Sequence, residues 1–179
     1  MFRVLGGSIR GKKLQGPRGL EFRPTMAQVK QFIFTILADK IEDAKILDLF
    51  SGTGSLGIEA LSRGAESVTF VDSSDEAVRI LSRNIQTCGF EAVARVERTD
   101  VFRFLERSRE PFDLIFADPP FKDDLRLRIV KSVDPSKLLK PEGLLILEHE
   151  IHDLDQEEHP LTLIRQKRFG HCMVSFYAV

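Results

Sequence analysis

The sequence predicts a doubly wound α/β sheet, mostly parallel, ending in a C-terminal antiparallel hairpin and preceded by a small basic hairpin. Three observations carry this expectation. Ile46-Leu47-Asp48-Leu49-Phe50 is a short apolar run that passes through Ser51-Gly52-Thr53-Gly54 into helix formers, the pattern of a strand, a tight turn and a helix. From residue 45 onward, apolar runs of strand length alternate with stretches of helical periodicity. Leu144-Leu145-Ile146-Leu147 is apolar without interruption, as a strand covered on both faces must be.

Taken in order, Phe2–Gly7 and Gly11–Gln15 read as two short extended pieces around a turn, a basic hairpin. Gly16, Pro17 and Gly19 make a loop, and a helix begins at Pro24-Thr25 with Thr25 as its N-cap. Val29, Phe32, Ile33, Ile36 and Leu37 follow helical spacing and form its core face. Strands are expected at 45–49, 67–71, 92–97, 112–117 and 143–148. Helices are expected at 55–63, 75–88, 101–108 and 123–133. Ala77, Val78, Leu81, Ile85 and Cys88 make an apolar stripe that puts Cys88 in the core. Leu161–Ile164 and Met173–Tyr177 flank Gly170 as the closing hairpin. The expected organisation is one domain over 1–179, with residues 1–24 as a basic extension and 25–179 as the core.

Composition narrows the partner. The 179-residue chain has a net charge of −1, but residues 1–30 hold seven Lys/Arg against one Asp/Glu. A basic segment on an otherwise acidic chain suits a local polyanion, most simply nucleic acid. Two unpaired cysteines, Cys88 and Cys172, give no zinc spacing and suit a reducing compartment. No apolar run reaches membrane length and the N-terminus has no signal-peptide core, so the expected location is cytoplasmic. His149-Glu150-Ile151-His152 is one residue short of a zinc-binding H-E-x-x-H helix and follows a strand. It is read as loop histidines, with no metal site. Glu148 is placed at a strand end facing the cleft.

Gly52, Gly54 and Gly57 fit G-x-G-x-x-G, in which glycine lets the backbone turn sharply and approach a ligand. The helix that follows turns free amides and the positive end of its dipole toward that ligand. Asp72, 20 residues after Gly52 at the end of the next apolar run, stands where an acid meets ribose hydroxyls. These features fit a dinucleotide site and an S-adenosylmethionine site equally. The absence of a second βαβ half counts against a dinucleotide oxidoreductase. A second motif decides: the strand Phe112–Ala117 runs into Asp118-Pro119-Pro120-Phe121, which presents a carboxylate, a stiff turn with a free carbonyl and an aromatic ring.

Asp118–Phe121 resembles the (D/N)-P-P-(Y/F/W) motif of S-adenosylmethionine-dependent amino methyltransferases, on a Rossmann-like sheet. Within that group, Arg3-Val4-Leu5-Gly6-Gly7, Arg10-Gly11-Lys12-Lys13-Leu14, Arg23-Pro24-Thr25 and Leu61-Ser62-Arg63-Gly64-Ala65 are similar to the signature of the RsmD family of 16S rRNA guanine-N2 methyltransferases. The resemblance implies a cofactor set of Asp48, Phe50, Gly52, Thr53, Gly54, Asp72, Ser73, Asp100 and Val101, with Asp100 toward the adenine amine. The other reading of Asp100 is a helix N-cap. The implied catalytic set is Asp118, Pro119, Pro120 and Phe121, with Phe121 stacking on the base. The candidates for the RNA backbone are Arg3, Arg10, Lys12, Lys13, Arg18 and Arg23. The implied cofactor is S-adenosylmethionine, with S-adenosylhomocysteine as product, and the implied partner is 16S rRNA or the small ribosomal subunit. One departure is local: Lys30-Gln31 stands where the family usually carries Arg-Glu. Asp118 itself favours guanine, since a carboxylate only accepts and guanine presents two donors on one edge. The alternatives are an adenine-N6 DNA or RNA methyltransferase and an RNA-binding protein that has lost catalysis on the same fold.

Overall fold

Strand β3 (Lys45–Leu49) lies at the centre of a seven-stranded sheet in the order β5-β4-β3-β6-β7-β9-β8. The computed structural model describes residues 2–16, 24–120, 125–151 and 159–179. The other strands are β4 (Ser67–Asp72), β5 (Ala94–Arg98), β6 (Phe112–Ala117), β7 (Leu139–Glu150), β8 (Thr162–Phe169) and β9 (Cys172–Ala178). From β3 the chain steps outward to β4 and β5, then crosses back to β6 on the other side. That reversal opens a crevice at the carboxyl ends of β3 and β6, where an open α/β sheet binds its ligand. Strands β3 to β7 are parallel, whereas β9 runs antiparallel to both β7 and β8. A separate two-residue pairing joins β1 (Phe2–Arg3) to β2 (Lys13–Leu14).

Alternation along the strands splits the core into two layers. Ile46, Phe70, Phe116, Ile146 and Phe176 pack beneath α1 (Pro24–Ile36), α2 (Ser55–Ser62) and α3 (Asp75–Cys88). Leu47, Leu49, Ile115, Leu145 and Tyr177 pack beneath α4 (Val101–Arg107), α5 (Arg126–Ser132) and α6 (Pro135–Leu138). The N-terminal hairpin belongs to the first layer, to which it contributes Phe2, Val4 and Leu14.

Several boundaries differ from the sequence expectation. Helix α1 begins at Pro24, whose fixed φ suits the first helical position, so Thr25 lies inside the first turn and is not the N-cap. The expected helix 123–133 is α5 at Arg126–Ser132, and residues 123–124 lie outside the described residues. Strand β7 starts at Leu139, before the expected residue 143. A register shift on β6, between Phe112 and Leu114, takes up Lys140–Gly143. His149 is no loop residue. It lies within β7 at 6% exposure, its Nδ1–H donating to Glu150 O at 2.6 Å and its Nε2 hydrogen-bonded with Ser175 Oγ at 2.7 Å. An imidazole satisfied at both nitrogens can be buried without an orphan polar group. Cys88 is buried, as the stripe on α3 predicts.

Candidate functional site

The glycine loop is built by β3 and α2. Asp48, only 2% exposed, turns its carboxylate beneath the loop, where Oδ2 accepts from Gly57 N at 2.9 Å. Burial raises its carboxyl to about 8, and the nearby Asp72 adds to the rise while the Gly57 bond opposes it. The three glycines do different work. A Cβ on Gly57 would lie 2.3 Å from the Phe70 ring, so this glycine lets α2 settle on the sheet. Gly54 has φ +81° and would meet Leu81 at 2.4 Å. Gly52, with φ +52°, faces open space, its nearest neighbour being 3.9 Å away. The space over Gly52 is open to a ligand, but the loop amides are not free as the sequence suggests: Ser51 N donates to Val71 O, Gly54 N to Ser51 O, and the amides of Gly52 and Gly57 to Asp72 and Asp48. Phe50 also takes a positive φ, 54°, in this loop, a conformation that a bulky residue holds only where its surroundings impose it. Its ring stands edge-on to Phe102 at 6.3 Å.

Asp72 sets the loop from the neighbouring strand. Its Oδ2 accepts from Gly52 N and its Oδ1 from Ser74 N, both at 2.8 Å. A carboxylate has about four acceptor sites, so each oxygen retains one for a ligand hydroxyl. Ser73, beside it, is exposed. Thr53 is half-buried, and its carbonyl accepts from Asn84 Nδ2 at 2.9 Å. Asp100 is the N-cap of α4, accepting from Arg103 N at 3.0 Å, and is exposed on its other side. Val101 is buried as the first residue of α4.

The second motif meets the first at the strand ends: Asp118 N donates to Leu49 O at 3.5 Å. Pro119 is buried and Pro120 exposed, and Phe121 lies outside the described residues. Asp118 is exposed at the mouth of the cleft that it lines. Desolvation by the protein atoms around the cleft raises its carboxyl above the usual carboxylate range, and the charges of Glu148 and Asp48 push the same way. Asp118 and Glu148 line one cavity together with Lys30, Ser55 and the apolar Phe2, Met26, Val29 and Leu56.

Four participants were not singled out from sequence as parts of the site. Glu59 is fully buried in α2 and collects four donors: Leu5 N at 2.7 Å, Gly6 N at 2.8 Å, Lys30 Nζ at 3.1 Å and Arg63 Nε at 2.9 Å. Lys30 also donates to Arg3 O at 2.8 Å, and burial lowers its ammonium pKa. At the departure from the family pattern, therefore, Lys30 fastens α1 to α2 and the hairpin, whereas Gln31 is exposed. Ser62 Oγ donates to Gly6 O at 2.6 Å. Asn84, 2% exposed on α3, bonds Gln15 N and O as well as Thr53 O. The available signal was a polar residue inside an apolar stripe: Asn84 stands between Leu81 and Cys88.

Of the basic residues, Arg3, Arg10, Lys12 and Lys13 are exposed on the hairpin, and Arg18 and Arg23 lie outside the described residues. Among the described residues no group of three or more His, Cys, Asp or Glu is placed to hold a metal ion, and no helix is long and apolar enough to cross a membrane.

A family model described as conserved hypothetical protein 95 matches residues 2–178. The chain is 34% identical over 176 residues to ribosomal RNA small subunit methyltransferase D of Escherichia coli K12, covering 98% of this chain and 88% of that protein. It is 33% identical to the protein of the same name from Haemophilus influenzae, over 94% and 89% of the two chains. The solved structure of the yhhF protein of Escherichia coli superposes with a TM-score of 0.86 at 33% identity, covering 98% and 96%.

Proposed function

We propose, because this chain belongs to the RsmD family of rRNA methyltransferases, that it transfers a methyl group from S-adenosylmethionine to the exocyclic N2 amine of a guanine in small-subunit (16S) rRNA. The observation that supports this reading is the meeting of Asp118-Pro119-Pro120 with the glycine loop at the switch point of the sheet. The open face of Gly52 and the vacant acceptor sites of Asp72 suit the nucleoside part of such a cofactor. When bound, S-adenosylmethionine supplies an electrophilic methyl group. Phe50, Gly52, Thr53, Gly54, Asp72, Ser73, Asp100 and Val101 form its cradle, and Asp48 holds the loop from below.

The chain's own task is to prepare the amine. An exocyclic base amine is a weak nucleophile because its lone pair is conjugated with the ring. Hydrogen bonds from its two hydrogens to the Asp118 carboxylate and the Pro119 carbonyl favour a pyramidal nitrogen and stabilise the positive charge that develops there. Holding that nitrogen in line with the methyl carbon supplies the remaining advantage. The methylated amine is a strong acid and gives its proton to solvent water, so no dedicated base is required. Phe121 stacks on the base, which must be unpaired or flipped out to enter. Arg3, Arg10, Lys12, Lys13, Arg18 and Arg23 hold the RNA backbone. A protein that modifies ribosomal subunits works in the cytoplasm.

The test is methyl transfer from labelled cofactor to unmethylated small subunits, free rRNA and DNA, followed by identification of the labelled nucleoside. N2-methylguanosine from rRNA supports the reading, whereas N6-methyladenosine or labelled DNA refutes it. Asp118→Asn should lose roughly 10- to 100-fold in single-turnover rate, the equivalent of one charged hydrogen bond. Its cofactor affinity should be unchanged.

A further inference from the structure

We propose that Glu148 is a specificity-determining residue that accepts the ring N1–H of the target guanine while Asp118 takes its exocyclic amine. This rests on the guanine reading above. Leu147 of β7 pairs with Ala117 of β6, so Glu148, still within β7, lies beside Asp118, the first residue after β6. Both turn toward α1 and line the same cavity, whose apolar walls come from Phe2, Met26, Val29 and Leu56. The cavity is small, about 60 Å³, so it admits the donor-bearing edge of a flat ring beside these two acceptors and not the whole base.

Glu148 is not consumed by the fold. Among the described residues its one hydrogen bond is to a weak donor, the Cys172 thiol, at 3.0 Å from Oε1. The cation in the same cavity, Lys30, is already committed to Glu59 and Arg3 O. The other oxygen of Glu148 has no donor among the described residues, although the side chain is half-buried. Burial raises its carboxyl, and its charge in turn raises that of Asp118. A second acid here is therefore unfavourable until a ligand brings donors. Guanine brings the N1–H together with the amine, whereas adenine and 2-aminopurine turn an unprotonated N1 toward Glu148 and are repelled.

The test uses the full-length protein and small-subunit rRNA carrying either guanine or 2-aminopurine at the methylated position. 2-Aminopurine keeps the 2-amine but lacks the N1–H. The wild type should prefer guanine by at least roughly 100-fold in kcat/KM, because a site built to bind an N–H rejects an analogue without it. In Glu148→Gln the amide can donate to the bare N1, and the preference should fall to within about tenfold, with S-adenosylhomocysteine affinity unchanged. A Gln variant that keeps the wild-type preference overturns the proposal. So does a wild type that uses both bases equally, whether or not the variant folds. Failure of the underlying reading is seen separately, as a wild-type product other than N2-methylguanosine.

Discussion

Asn84→Asp is expected to loosen the N-terminal hairpin and the glycine loop at once. The side chain is buried, and its Nδ2 donates to Gln15 O at 3.0 Å and to Thr53 O at 2.9 Å, while Oδ1 accepts from Gln15 N at 2.8 Å. Aspartate keeps the last bond but sets an acceptor against two carbonyls. Leaving a buried acceptor unpaired costs about 1–3 kcal/mol, so the two together predict a loss of about 2–6 kcal/mol in stability. The share that falls on Thr53 weakens the cofactor by up to roughly 5- to 150-fold, since 1.4 kcal/mol is a factor of ten. Urea unfolding measures the first quantity, and calorimetry with S-adenosylhomocysteine the second. A neutral carboxylic acid can donate to one of the two carbonyls, so acid pH should restore part of the stability. Gln15→Ala is the control: Gln15 contributes only its backbone here and its side chain is exposed, so neither quantity should move. A destabilised Asn84→Asp protein with wild-type cofactor affinity would refute the link between hairpin and loop.

Three further outcomes are expected. Gly57→Ala drives a Cβ to 2.3 Å from the Phe70 ring and should cost about 1–3 kcal/mol by overpacking; unchanged urea unfolding would contradict the packing role. Asp48 has a carboxyl raised to about 8 in the folded chain against about 4 when unfolded. Its contribution to stability is therefore complete below about pH 4 and is lost as pH rises through about 8. Without cofactor, the wild type should lose stability relative to Asp48→Asn across that window, and parallel pH profiles of the two proteins would exclude the shift. Replacing Lys12 and Lys13 with alanine should weaken RNA binding and make its log–log salt dependence shallower by roughly 0.7–0.9 for each phosphate that is no longer neutralised, with cofactor affinity constant; an unchanged slope would remove these lysines from the interface.

The sequence by itself determined what depends on neighbours along the chain. The alternation of strands and helices, the turn at Gly52–Gly57, the acid 20 residues on and the rigid exit at Asp118-Pro119-Pro120 are all written in local periodicity and in residue types with few alternative uses. The parity of β3, β6 and β7 even places Asp48, Asp118 and Glu148 on one side of the sheet once the register is known. Only the tertiary structure decided how distant segments share partners. Asn84 meets Gln15 across 69 positions and Glu59 meets Leu5 across 54, so no window of sequence contains either pair. The glutamate in α2 has the look of a solvent-facing residue, and the asparagine inside the apolar stripe of α3 has no visible partner, until the hairpin covers them and supplies donors and acceptors. The same holds for His149, whose burial depends on Ser175 arriving from β9. A buried polar group is stable only with its partners in place, and which partners arrive is settled when the whole chain packs.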